Sequence, residues 1–183
     1  MRSLYAHPAV PWVTTVARLV LAGVLIVAGW LKIGTPALSV QAVQAYELLP
    51  ERVATVVGYG LPLVEIVVGV LLVAGLLTRV AGAVSALLML AFVVGIASAW
   101  ARGLRIDCGC FGGGGKLAAG QSPSYFWEIL RDGGLFLLAA WTVRFAPGRF
   151  SLDAALGLVP ARRLTRDDEL EEPGDGVDQG EAA

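Results

Sequence analysis

Four apolar stretches, at about residues 12–33, 53–77, 80–101 and 125–145, each reach the roughly 20 residues a helix needs to cross a bilayer. Lipid offers no water to satisfy backbone N–H and C=O groups, so stretches of this length are expected to be helices. The predicted fold class is therefore an all-α membrane protein, a bundle of four transmembrane helices. The fourth stretch is the least apolar of the set. Hydrophobic residues make up 56% of the chain and charged ones 16%, which departs from soluble composition in the same direction. No basic stripe is present, so the composition excludes nucleic acid as a partner and points to lipid. Trp12, Trp30, Trp100, Trp127 and Trp141 fall near the ends of the stretches, where indole rings favour the membrane interface. The first stretch follows Arg2 and contains the small residues Ala22 and Ala28, features shared with signal peptides. Its full-span length and the three spans after it predict an uncleaved anchor instead.

The predicted organisation is a transmembrane domain over 1–149 and a cytoplasmic segment over 150–183. The latter is acidic and disordered from about 167, since eight of the fifteen acids lie between Asp167 and Glu181. Between spans one and two, Pro36 suits the first turn of a short interfacial helix and Pro50 its end. Spans two and three are joined by little more than Thr78-Arg79. Four spans put both termini on one side. That side carries Arg2, Arg79, Arg144, Arg149, Arg162, Arg163 and Arg166; the other carries Lys32, Arg52, Arg102, Arg105 and Lys116. The seven-to-five excess predicts cytoplasmic termini in a multi-pass inner-membrane protein, with the loop between spans three and four extracytoplasmic.

That loop holds the two cysteines of the chain, in Asp107-Cys108-Gly109-Cys110-Phe111-Gly112. Disulfides persist on the extracytoplasmic side, and the expected chemistry is thiol–disulfide exchange at an exposed pair. Bonding residues two apart needs a bent backbone, which Gly109 permits. A strained, exposed disulfide is an exchangeable one. A static disulfide or an inert thiol pair is the competing use, although a loop closed across one residue gains little from closure. Two thiols and the distant His7 fall short of the four ligands of a structural zinc site, so no metal is expected.

Ionisable residues inside spans are functional candidates by default. Glu65 lies mid-span beside Pro62, and span four carries Glu128, Arg131 and Asp132, spaced so that Glu128 faces Arg131 or Asp132. With Lys32 at the same end of span one, these residues predict a polar cluster beneath the cysteine loop. The cluster would move protons during exchange or hold a quinone-like acceptor. The structural alternative is that Glu65 pairs with Arg131 or Lys32 to fix helix packing. Ala91, Gly95 and Ala99, like Gly82 and Ala86, recur at the four-residue spacing that lets helices approach closely.

Together these features resemble the MauE family, the methylamine-utilisation membrane proteins, and more distantly the DoxX-like proteins. The resemblance runs from roughly Val16 to Trp141. It rests on Ala28-Gly29-Trp30-Leu31-Lys32, Tyr46-Glu47-Leu48-Leu49-Pro50, Leu61-Pro62-Leu63-Val64-Glu65 with Gly69, and Gly75-Leu76-Leu77-Thr78-Arg79. Above all it rests on the cysteine run, with Arg131-Asp132 in span four. It implies a four-helix inner-membrane protein that helps mature exported, disulfide-containing clients beside an extracytoplasmic thioredoxin-like partner. In the methylamine system the client is the disulfide-rich small subunit of methylamine dehydrogenase. The leading expectation is thus a membrane protein, a thiol–disulfide oxidoreductase component exchanging through Cys108 and Cys110. The alternatives are a non-catalytic scaffold of a maturation or redox complex and a solute transporter using Glu65.

Overall fold

The computed structural model describes residues 9–117 and 120–157, so Arg2, His7 and the acidic segment from Asp167 lie outside the described residues. Among the described residues, six helices and one two-stranded ribbon follow in order: α1 (Val10–Ile33), α2 (Pro36–Ala45), α3 (Glu51–Ala74), α4 (Thr78–Ala101), β1 (Ile106–Asp107), β2 (Gly115–Lys116), α5 (Tyr125–Phe145) and α6 (Leu152–Ala155). α1, α3 and α4 are each 24 residues and apolar enough to cross a membrane. α5 is a helix over the predicted residues but is less apolar, and it carries Glu128, Arg131 and Asp132 in its N-terminal half. Pro36 opens α2 as expected. The end of that helix does not: it stops at Ala45, Glu47 takes a left-handed backbone, and Pro50 caps α3 instead.

The four long helices close a ring in which α1 packs on α3 and α5, and α4 on α5 and α3. Small residues bring α1 and α3 together. A Cβ on Gly29 would sit 2.8 Å from the Pro62 carbonyl, and one on Gly69 would sit 2.6 Å from Ile26. Leu21, Leu25, Val68, Leu72, Met89 and Leu135 fill the centre. Large apolar side chains such as Val56, Val67, Leu87 and Leu137 point outward, as they do when lipid replaces water around the bundle. In α4, Gly95 and Ala99 are buried and Ala91 is exposed, so the small-residue stripe meets neighbours only in part. Gly95 lies against the Tyr46 ring and Gly82 against Val143 of α5.

At the end of the bundle away from the cysteines, the chain after α5 folds back. Asp153 of α6 accepts hydrogen bonds from the backbone N–H groups of Leu77 (2.7 Å) and Thr78 (2.8 Å), capping the start of α4 from a distant part of the chain. Arg18 of α1 is buried there. Its Nη2 donates to the Phe150 carbonyl at 3.1 Å, while Nε and Nη1 have no hydrogen-bond partner among the described residues. An arginine in the N-terminal third of span one was the sequence signal for this lock, and the polar cluster predicted above does not include it. Burial works to raise the Asp153 pKa, but the hydrogen bonds from Thr78 and Leu77 and the Arg18 charge outweigh it and hold the carboxyl below its ordinary value. A carboxylate depressed in the folded state stabilises fully above the unfolded value, and that contribution is lost as pH falls through the folded one. Asp153→Ala is expected to lower unfolding stability in detergent by about 1–2 kcal/mol at neutral pH. The gap from the parent closes in acid; a gap that stays constant with pH contradicts the cap.

Candidate functional site

The cysteine run is a short hairpin. β1 and β2 pair antiparallel, with Ile106 opposite Lys116 and Asp107 opposite Gly115. Tyr125, at the first turn of α5, anchors the hairpin base: its hydroxyl accepts from the Ile106 N–H at 3.0 Å and donates to the Leu104 carbonyl at 2.5 Å. Between the strands the chain turns at Gly109, which has φ +69° and faces α2 so closely that a Cβ would stand 2.4 Å from the Ala42 Cβ. Both the left-handed backbone and that contact demand glycine between the cysteines. The Asp107 carboxylate accepts from the Gly109 N–H at 3.0 Å, and the Tyr46 hydroxyl donates to the Cys108 carbonyl at 3.1 Å.

The cysteines are therefore buried, where an exposed pair was expected. Both are free thiols, with Cys108 8% and Cys110 6% accessible, because α2 docks over the turn and closes it against α4 and α5. The pair is asymmetric. Cys108 accepts the Cys110 N–H at 3.5 Å, and Arg131 Nη2 points at its sulfur from 3.9 Å. Cys110 directs its thiol at Asp132 Oδ2 (3.8 Å) and the Cys108 carbonyl (3.9 Å). The hydrogen bond with Cys110 draws the Cys108 pKa down; burial and Glu128 oppose this, and Arg131 adds to it. The same hydrogen bond, together with burial and the Asp132 charge, pushes Cys110 up. Burial, with nearby negative groups, also raises Tyr46, which stays a neutral donor. Cys108 is the sulfur that becomes thiolate first, and a thiolate is the nucleophile in exchange.

Arg131 pairs with Asp132 at 2.8 Å, and its guanidinium lies 4.9 Å from the Phe111 ring centre. Among the described residues Glu128 makes no ion pair with either Arg131 or Asp132. Helix spacing put Glu128 within reach, yet Arg131 turns to its sequence neighbour, whose carboxylate is buried beside Cys110. Glu128 Oε2 has no hydrogen-bond partner among the described residues. Glu65 has the second of its two candidate partners, Lys32, at 2.5 Å, with both side chains 2% or less accessible. The predicted cluster is thus two pairs, Lys32–Glu65 and Arg131–Asp132. Both line or border one small cavity, of about 10 Å³, walled by Glu65, Cys110, Asp132, Met89, Phe92 and Leu135. Tyr46, Asp107 and Tyr125 complete the site and were not singled out as chemistry-bearing in the sequence, although Tyr46 and Asp107 stand in the runs that carry the family resemblance. Among the described residues no group of His, Cys, Asp and Glu has a geometry suited to a metal ion.

A family model described as methylamine utilisation protein MauE matches residues 10–145. No curated protein and no solved structure matches the chain. From the site's asymmetry, iodoacetamide should modify Cys108 before Cys110, with a pH midpoint below the roughly 8.5 of an ordinary thiol. Arg131→Gln should move that midpoint up. Peptide mass spectrometry reads both, and preferential modification of Cys110 would contradict the assignment.

Proposed function

Because the chain belongs to the methylamine utilisation protein MauE family, we propose that it is a four-span membrane protein whose Cys108–Cys110 pair exchanges electrons with an extracytoplasmic thioredoxin-like protein, supporting the maturation of exported disulfide-containing clients. The observation that carries this reading is the asymmetric thiol pair at one end of the bundle. Cys108 has its pKa drawn down and a guanidinium at its sulfur, while Cys110 sits two residues on against a carboxylate. A nucleophilic thiol with a resolving thiol beside it is the arrangement that exchange requires. In the forward direction the dithiol gives two electrons and two protons to a partner disulfide. The pair becomes a disulfide and the partner a dithiol; the reverse direction uses the same atoms.

α5 is the fourth span in this reading. Its 21 residues reach about 30 Å as a helix, the thickness of the hydrocarbon core. Its charged first turns then lie under the cysteine hairpin at the interface. The arginine excess puts the termini in the cytoplasm and the hairpin outside the inner membrane, where thiol exchange has work to do. In this reading the electron partner is a protein disulfide, and the cavity beside Glu65 measures about 10 Å³. Methylamine metabolism enters through the family's description alone.

One observation favours the second reading, a non-catalytic scaffold with structural cysteines: both sulfurs are buried beneath α2. In the exchange reading, the hairpin tip lifts from α2 for a partner to reach Cys108. Trapping separates the two. Cys110→Ser is expected to accumulate a mixed disulfide between Cys108 and a thioredoxin-like protein, and Cys108→Ser far less. No adduct from either variant, with client maturation intact in the double serine variant, removes the exchange reading and leaves the scaffold. A membrane-impermeant maleimide that tags Cys108 only after lysis removes the proposed orientation.

A further inference from the structure

The cavity between Cys110, Asp132 and Glu65 has a volume of about 10 Å³, about what one water molecule needs. It is not lined by apolar groups alone. Glu65 is 1% accessible; its Oε1 accepts from Lys32 at 2.5 Å, and its Oε2 has no hydrogen-bond partner among the described residues. Buried carboxylate oxygens are rarely left without a donor. Across the cavity, Asp132 commits Oδ1 to Arg131 and turns Oδ2 to the Cys110 thiol. Polar groups on both sides of a one-water space give a water the two or more partners it requires.

We infer that one water molecule occupies this cavity and that, through it, Glu65 accepts the proton that Cys110 gives up when the thiol pair closes to a disulfide. The inference rests on the exchange reading above and assigns the base for its resolving step. Glu65 acts through the water and through Asp132, not by touching sulfur. When Glu65 is protonated, the Lys32 ammonium keeps a second stabilising contact, since it lies 5.6 Å from the Phe92 ring centre. The groups that face Cys110 are Cys108 in the hairpin, Tyr46 after α2, Glu65 on α3 by way of the cavity, and Arg131 and Asp132 on α5, while Glu128 of α5 acts on Cys108 instead.

A symmetric aromatic disulfide that releases thionitrobenzoate tests this on the full chain in detergent. The Cys108 thiolate attacks one sulfur and frees the first thionitrobenzoate, leaving a mixed disulfide. Cys110 passes its proton to Glu65, attacks the Cys108 sulfur and frees the second. The two electrons of the pair leave on the two thionitrobenzoate anions, and the Cys108 proton goes to solvent. Glu65→Gln is expected to leave the first release unchanged and to slow the second about 100-fold, the lower range for loss of general-base help. Glu65→Asp recovers part of the rate, and raising the pH restores the rest because hydroxide replaces the lost base. The paired variant Lys32→Met with Glu65→Gln, which leaves no buried charge unpartnered, guards against misfolding of the single variant and should show the same split. Equal second-release rates in parent and variants overturn the proton role, as does slowing of both releases together. A parent protein that frees only one thionitrobenzoate overturns the exchange reading itself.

Discussion

The Lys32–Glu65 ion pair is the constraint around which the upper half of the molecule is arranged. Two charges 2.5 Å apart, each almost wholly inaccessible, tie the end of α1 to the middle of α3. Removing either partner strands the other in an apolar interior, which in buried pairs is strongly destabilising, about 3–5 kcal/mol. The pair forms only because α1 and α3 approach closely through Gly29 and Gly69, so the small residues and the charges specify the same helix contact. That contact sets the floor of the cavity on which Cys110 rests. A bundle of apolar helices in lipid has no hydrophobic force to fix its register; a matched pair of charges provides one.

Above that floor, the hairpin converts two identical residues into two different ones. Tyr125 fixes its base, Tyr46 its middle, and Gly109 turns the chain so that one sulfur meets a guanidinium and the other a carboxylate. The Arg131–Asp132 pair does both jobs from adjacent positions on α5. A neighbouring positive charge favours a thiolate and a neighbouring negative charge a thiol, so in the proposed exchange attack falls to Cys108 and resolution to Cys110 by electrostatics rather than by exposure. The opposite end of the bundle uses the same device. There Asp153 meets two backbone N–H groups and the field of Arg18, and locks the chain after α5 onto the α3–α4 turn.

Much of the fold was legible because apolar length in lipid leaves helix as the only answer, and the limits of α5 coincide with those read from the sequence. The end of α2 was not legible. Pro50 looked like its stop, but Glu47 adopts a left-handed backbone after Tyr46 and the proline starts the next helix. Lys32 was one of two partners considered for Glu65, and only the geometry chooses between them. The Arg131–Asp132 contact escaped the helix-spacing rule because that rule describes exposed surfaces, whereas here the buried sulfurs and carboxylate draw the guanidinium sideways. Burial of the cysteines was invisible for a similar reason: it depends on α2, distant in sequence, folding over the turn.

The central claim is that Cys108 and Cys110 cycle between dithiol and disulfide in the folded protein. The most direct measurement equilibrates membranes containing the full chain across a graded series of thiol redox buffers. Free thiols are blocked with one alkylating reagent, disulfides are reduced and tagged with a second, and the Cys108–Cys110 peptide is read by mass spectrometry. The account predicts one reversible transition in which both cysteines change tag together. A peptide that stays fully dithiol, or fully disulfide, across the whole series contradicts it.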